Sequence, residues 1–299
     1  MSAGGLPRNP GPSWGYPFLR ACDRVLPEAL FRPLRAAGTA VAVLAMPRQR
    51  RHSSDYLARV LPRPPGLRDN FRHFFAFEES LMARLRIANG RFFPCDYDAS
   101  ARDFQAWLEG GGPALLGTMH IGVSDMLGFQ IGLHEGRRVH IVRRRTANSH
   151  DTEGLFRAGR GAVQFVWAGD PAELIFALRD AAGTGDPIAL QCDRLENAAH
   201  AGAFAFLGAR RLFPLTIYRL ARIFGRPVLL TVGLPAPGGR SRLYGAPRFE
   251  VRGGEGREQT MERARAHFQS FLAQVEGLLR GHPYQWFNFM PLNPEAGPS

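Results

Sequence analysis

The sequence predicts an α/β fold, a central mixed, mostly parallel sheet flanked by helices on both faces, with a helical segment in front of it. Three observations predict it. Apolar runs of strand length recur between residues 113 and 234. Stretches with helical spacing separate those runs, as parallel pairing requires. Before residue 90 the pattern is helical only.

The elements follow in order. Residues 1–16 are Gly/Pro-rich and read as a flexible tail. Residues 17–299 read as one domain, with 17–90 a helical, membrane-facing portion and 100–290 the α/β core. Pro27, Pro33 and Pro47 should cut 17–61 into short helices. Within that stretch GTAVAVLAM (38–46) lies between Arg32 and Arg35 on one side and Arg48, Arg50 and Arg51 on the other. It falls well short of the roughly 20 residues a spanning helix needs. It is therefore either a core helix or an interfacial helix with snorkelling arginines. PRPPG (62–66) is a stiff connector. Asp69 then caps a helix to about residue 88, with Phe71, Phe74, Phe75, Leu81, Met82 and Leu85 on its apolar side and Gly90 past its end.

A helix near 100–109 and the turn GGGP lead into strand PALLGT (113–118) and a helix over about 123–134. Strands RVHIVR (138–143) and AVQFVW (162–167) come next. Asp170 caps a helix opening at Pro171, with Glu173 placed for a capping box and Gly183 at the stop. Strand PIALQ (187–191), a helix over 214–225 and strand PVLLTVGL (227–234) complete the alternation. RLYGAPRFEVR (242–252) reads as one or two strands. A final helix over 257–280 carries Phe268, Phe271, Leu272, Val275, Leu278 and Leu279 on its apolar side.

Composition narrows the partners. The 299 residues hold 38 basic and 26 acidic side chains, a net charge of +12, and every Lys-or-Arg position is arginine. Such an excess favours an acidic partner: nucleic acid, an anionic membrane surface or an acidic carrier protein. No helix-turn-helix, zinc-finger or basic–aromatic module is present, so nucleic acid is not expected. Cys22, Cys95 and Cys192 are odd in number and far apart, which suits a reducing compartment rather than a disulfide scaffold. None of the nine histidines falls in a metal-ligand spacing, so no metal is expected. The N-terminus lacks the apolar segment of a signal peptide, and no apolar run is long enough to span a membrane.

GTMHIGVSD (117–125) carries the candidate chemistry. On one helix His120 and Asp125 would point about 140° apart, so they meet only if the chain turns between them. Gly122 permits that turn, and Ser124 or Asp125 can open the following helix. Asp125 could then hold one imidazole nitrogen and leave the other free as a base. Alternatively Asp125 caps the helix and His120 is an ordinary strand-end histidine. Ser124 in GVSDM partly matches a nucleophile elbow, but Met126 stands where that turn demands glycine.

His120-x-x-x-x-Asp125 after an apolar strand resembles the signature of the lysophospholipid acyltransferase-like superfamily. LQCDR (190–194) looks like its second block, and AFLGARRLFPLTIYRLARIFGRPVLLT (205–231) is similar to later blocks of its bacterial branch. HPYQWFNF (282–289) resembles the C-terminal segment of the lipid A late acyltransferases. RRHSSDYLARVL (50–61) and NFRHFFAFEESLMARL (70–85) resemble the upstream part of related bacterial acyltransferases. The lipid A enzymes usually carry Asn-Glu where this chain has Ser124-Asp125, and they typically begin with a membrane anchor, which is not seen here.

The resemblance implies an acyltransferase of lipid biosynthesis at the cytoplasmic face of the inner membrane, bound peripherally. It implies His120 as base and Asp125 as its orienter, with Gly122, Ser124, Asp193, Arg194, Gly208, Arg210 and Arg211 around the substrates. Backbone amides near Gly122 are candidates for the oxyanion, and the arginines for a phosphate on acceptor or donor. It implies no resident cofactor: the acyl thioester, on acyl carrier protein or coenzyme A, is a co-substrate, and the acceptor is a lipid-like hydroxyl or amine. Arg143, Arg144 and Arg145 either face an acidic carrier protein or form an ordinary solvated loop. Trp286, Tyr284, Phe287 and Phe289 either pack the core, line the acyl chain or anchor at the membrane interface. The competing reading is a non-catalytic lipid- or carrier-binding protein on a degenerate acyltransferase fold.

Overall fold

The structure is a computed structural model that describes residues 15–91, 93–124, 127–128, 131, 137–144, 163–168, 171–195 and 200–297. Asp125, the cap Asp170, Arg145 and most of the helix expected at 123–134 lie outside the described residues.

The chain is α/β. Its main sheet has seven strands among the described residues: β1 (Cys95–Tyr97), β2 (Leu115–Thr118), β3 (Val139–Arg144), β4 (Val163–Ala168), β5 (Ile188–Gln191), β8 (Val228–Ala236) and β9 (Arg240–Gly245). They lie in the order β1-β9-β8-β2-β5-β3-β4. Every neighbouring pair is parallel except β8 with β9. A separate antiparallel hairpin joins β6 (Ala201–Phe206) to β7 (Ala209–Pro214). The sequence analysis assigns no strand there, because the small residues of AGAFAF mask the alternation a strand normally displays.

Side chains on successive strand residues point to opposite faces, and the core divides accordingly. Leu115 of β2, Ile188 and Leu190 of β5, and Val228, Leu230 and Val232 of β8 enter one cluster. That cluster is covered by α3 (Pro47–Val60), α6 (Pro171–Gly183), α7 (Thr216–Phe224) and α8 (Arg257–Gly281). Leu116, Ala189 and Leu229, the alternate residues, enter a second cluster with Phe104 and Trp107 of α5 (Arg102–Gly110).

The leading helices are α1 (Gly15–Val25), α2 (Glu28–Ala45), α3 and α4 (Leu67–Ala88). Pro27 precedes α2 and Pro47 opens α3, as expected, but Pro33 sits inside α2 without ending it. A ring there removes one backbone donor, which the packed helix tolerates. Asp69 caps from the third position of α4, its carboxylate accepting the Gly66 N–H at 2.8 Å, so the cap position is Gly66, three residues before the expected one.

One narrow face of α2, Phe31, Arg35, Thr39 and Val43, is buried. Arg35 pairs with Glu78 of α4 at 2.7 Å and with Glu28. The opposite face leaves Leu30, Leu34, Val41 and Leu44 exposed in an apolar stripe at helical spacing. Among the described residues no single helix is long and apolar enough to cross a membrane; α2 and α3 meet at a 95° bend.

Candidate active site

β2 and β5 are adjacent and parallel, so their carboxyl ends open at the same edge, where α/β sheets place ligands. The Cys192 N–H donates to the Thr118 carbonyl at 2.7 Å and carries the pairing one step beyond the strands. That step brings His120, two residues past β2, against Asp193, two past β5.

Asp193 Oδ1 lies 2.9 Å and Oδ2 3.1 Å from His120 Nδ1. Oδ2 also accepts the His120 backbone N–H at 3.1 Å and the Trp286 indole N–H at 2.9 Å. Because a carboxylate only accepts, Nδ1 carries the ring proton and Nε2 presents a lone pair. Among the described residues Nε2 has no hydrogen-bond partner, and the imidazole keeps 25% of its surface open while the Asp193 side chain keeps 1%. Burial alone would raise the Asp193 pKa; the His120 charge and hydrogen bond, the Arg194 charge and the Trp286 donor outweigh it and hold the carboxyl well below the usual range.

Arg194 sets a permanent cation beside the pair. Its Nε stands 3.4 Å from Nδ1, one terminal nitrogen donates to the Phe287 carbonyl at 3.2 Å, and the other lies 2.8 Å from the Met290 sulfur. The thioether is a weak acceptor, so that N–H retains donor capacity for a stronger one.

The loop after His120 is pinned from three sides. The His120 carbonyl accepts the Phe287 N–H at 2.8 Å, and the Gly122 N–H donates to the Gln285 carbonyl at 2.7 Å. The Gly122 carbonyl accepts from Ser80 at 2.8 Å. Gly122 has φ +50°, and a Cβ there would lie 2.4 Å from the Gly233 carbonyl oxygen, so only glycine fits.

Several expected roles change. The amides of Ile121, Gly122, Val123 and Ser124 all donate within the fold, to Met119, Gln285, Gly233 and Ile121. They are therefore not open to an oxyanion. Ser124 is buried; its hydroxyl donates to the Ile121 carbonyl at 2.6 Å and accepts the Gly233 N–H at 2.9 Å. Both capacities are spent on tying the loop to β8, which fits neither a nucleophile nor a substrate contact. Asp193, expected among the substrate contacts, is buried against His120. Arg211 is buried too: it donates to the Asn293 carbonyl and to Glu295 at 3.0 Å, so the C-terminal segment occupies it. Gly208, φ +75°, forms the tip of the β6–β7 hairpin, and Arg210 is exposed on β7. Neither is brought to His120 by any contact among the described residues.

Trp286 both packs in the core and donates to the carboxylate that holds His120, a contact the sequence does not predict. Its ring meets Tyr56 and Phe206 edge-on, at 5.2 and 5.5 Å between centroids. Its carbonyl sits 2.8 Å from His73 Nε2, and His73 Nδ1 lies 2.8 Å from the Ser53 hydroxyl. Complete burial lowers the His73 pKa to about 4, so it stands neutral, with Nε2–H donating and Nδ1 accepting. HPYQWFNF was the signal, but no spacing rule couples positions 93 residues apart.

Among the described residues no group of three His, Cys, Asp or Glu side chains could hold a metal ion. No family model matches the chain, and the search of curated proteins found no match. Among solved structures, the chain is similar to the crystal structure of the 1-acyl-sn-glycerophosphate (LPA) acyltransferase PlsC from Thermotoga maritima. The TM-score is 0.39 at 13% identity, over 82% of this chain and 97% of that one.

Proposed function

We propose that this protein is an acyltransferase that moves a fatty or related acyl group from a thioester to a hydroxyl or amine of a lipid-like acceptor. The observation that carries the reading is the Asp193–His120 pair, with Nδ1 held by a buried carboxylate and Nε2 without a hydrogen-bond partner among the described residues, on a ring that keeps 25% of its surface open. A histidine fixed in that tautomer is a base aimed outward.

Nε2 takes the proton of the acceptor O–H or N–H while that atom attacks the thioester carbonyl. The tetrahedral adduct collapses, the C–S bond breaks, and the imidazolium returns its proton to the departing thiolate. No enzyme nucleophile is required, consistent with the buried Ser124. The Arg194 guanidinium, one N–H of which faces only a thioether, is the candidate donor to the oxyanion or to a substrate phosphate. Asp193 takes the orienting role here; Asp125, where the family resemblance places that carboxylate, is the second candidate for it. The donor is an acyl carrier protein or coenzyme A, and the +12 net charge favours the acidic carrier. The exposed stripe Leu30, Leu34, Val41 and Leu44, followed by Arg48 and Arg51, supports peripheral contact with an anionic membrane surface, at the cytoplasmic face of the inner membrane.

Lipid profiling by mass spectrometry tests this in cells that carry the wild-type protein, His120→Ala or no protein. A lipid species present with wild type and missing from both other strains is expected. An unchanged profile for folded His120→Ala sinks the reading.

A further inference from the structure

A concave site lies away from His120. A solvent-open cavity of about 340 Å³ is lined by His200, Ala201, Leu215, Arg219, Met261 and Arg265, with Arg257 and Glu258 at its rim. Arg219 comes from α7, while Arg257, Met261 and Arg265 recur every four residues along one side of α8. Leu215 is buried and, with Ala201 and Met261, supplies the apolar part of the lining.

Four arginines on or beside helices, Arg35, Arg63, Arg86 and Arg263, each pair with a carboxylate. Arg263 lies two residues from Arg265 on the same helix and grips Glu255 through two nitrogens at 2.6 Å. Arg219, Arg257 and Arg265, by contrast, make no ion pair among the described residues, and neither does Glu258 beside them. Three cations converge against one carboxylate, so the cavity is net positive, and the N-terminus of the 25-residue α8 adds its dipole at the same rim. Like charges held together around a concavity favour an anion that neutralises them. A Cβ at Gly202 would come 2.8 Å from the Phe204 ring and 3.0 Å from Arg265 and Leu215, so glycine leaves room for these side chains.

We propose that this cavity binds a phosphate-bearing small molecule, the arginines taking the phosphate and the Leu215–Met261 lining the apolar or planar remainder. The chemistry is shared by two sources, the phosphorylated nucleotide of a coenzyme A donor and the headgroup of an anionic phospholipid. The site does not depend on the His120 reading. It lies at the open end of the β6–β7 hairpin, and the other end, at Phe206, packs on Trp286. Five residues of strand at ~3.4 Å each separate the two by roughly 17 Å.

The test titrates the full-length protein with adenosine 3′,5′-bisphosphate by calorimetry, and separately with vesicles of phosphatidylglycerol or of phosphatidylcholine. Saturable binding of the bisphosphate, weakened about tenfold or more by Arg219→Gln and by Arg265→Gln, assigns the site to a nucleotide phosphate. If only phosphatidylglycerol vesicles bind, and the same substitutions weaken that binding while phosphatidylcholine shows no difference, the headgroup is the occupant. Glu258→Gln is expected to tighten either interaction. His120→Ala should bind like wild type, so a failure of the acyl-transfer reading leaves this result standing. The proposal is overturned if a correctly folded Arg219→Gln/Arg265→Gln protein, checked by near-UV circular dichroism, matches wild type with both probes.

Discussion

The indole N–H of Trp286 donates to Asp193 Oδ2 at 2.9 Å, while the same carboxylate holds His120 Nδ1. A residue of the C-terminal segment thereby holds a carboxylate at the end of β5, which holds an imidazole at the end of β2. Trp286→Phe removes the donor and keeps most of the packing against Tyr56 and Phe206. Acid unfolding followed by circular dichroism is expected to shift to higher pH. Asp193 stabilises the fold above the unfolded carboxylate pKa of about 3.9 and loses that contribution as pH falls through its lower folded value. With one donor gone that folded value rises and the loss comes sooner. An unchanged acid limb would show that the indole only packs.

Asp193→Asn and Asp125→Asn separate the two candidate orienters. An amide at 193 can donate to Nδ1 and force the proton onto Nε2, the wrong tautomer for a base. Turnover, read as thiol release from the acyl donor, should fall by about three to four orders of magnitude, by analogy with the same change in a protease triad. A milder effect of Asp193→Asn than of Asp125→Asn would return the role to Asp125.

Gly122→Ala is expected to be severely destabilising, since the new Cβ would collide with the Gly233 carbonyl at a φ of +50°. Gly208→Ala is the control: its φ is +75°, but no atom lies within 4 Å of the new Cβ. Strain alone should cost about 1–2 kcal/mol there. Urea unfolding of both variants measures the difference, and equal losses would rule out the collision.

His73 carries a pH dependence of its own. Its folded pKa, about 4, lies below the ordinary 6.5, so the unfolded chain binds the extra proton between those values. Stability is therefore full above about pH 6.5 and declines as pH falls toward 4, by about 3 kcal/mol from this group. Glu78 opposes it, because burial raises its carboxyl to about 7. His73→Gln keeps a donor for the Trp286 carbonyl and removes the titration. Urea midpoints for this variant should fall less than those of wild type between pH 6.5 and 4; parallel curves would contradict the assignment.

The apolar stripe of α2 makes a prediction about membranes. Leu34→Glu and Val41→Glu replace exposed side chains, so the thermal midpoint should hardly move. Sedimentation with phosphatidylglycerol vesicles should drop by about tenfold or more, given roughly 1.5–3 kcal/mol for each large apolar side chain buried. Unaltered sedimentation would exclude this face as the membrane contact.

Much of the fold was legible. The runs at 113–118, 187–191 and 227–234 became β2, β5 and β8 because strands covered on both faces need apolar residues at every position. Helices α4, α6 and α8 were legible from their spacing and end signals. β1 and the β6–β7 hairpin were not, since three residues or a run of alanine and glycine give no periodicity to read. At the site, His120, Asp193 and Arg194 could each be singled out, but the partner first expected for His120 was the near carboxylate, Asp125.

The sequence by itself determined the alternation of the central strands with helices, the basic character of the chain and the short list of groups able to do proton chemistry. Those properties are local: periodicity, charge and turn residues act over a few positions. Only the tertiary structure decided that Asp193, 73 residues away, holds the imidazole, that Trp286 holds Asp193, and that Ser124 and Arg211 are spent inside the fold. Hydrogen bonds act over about 3 Å of space whatever the chain separation. Parallel pairing of β2 with β5 closes that space, and nothing in the local pattern of either strand records it.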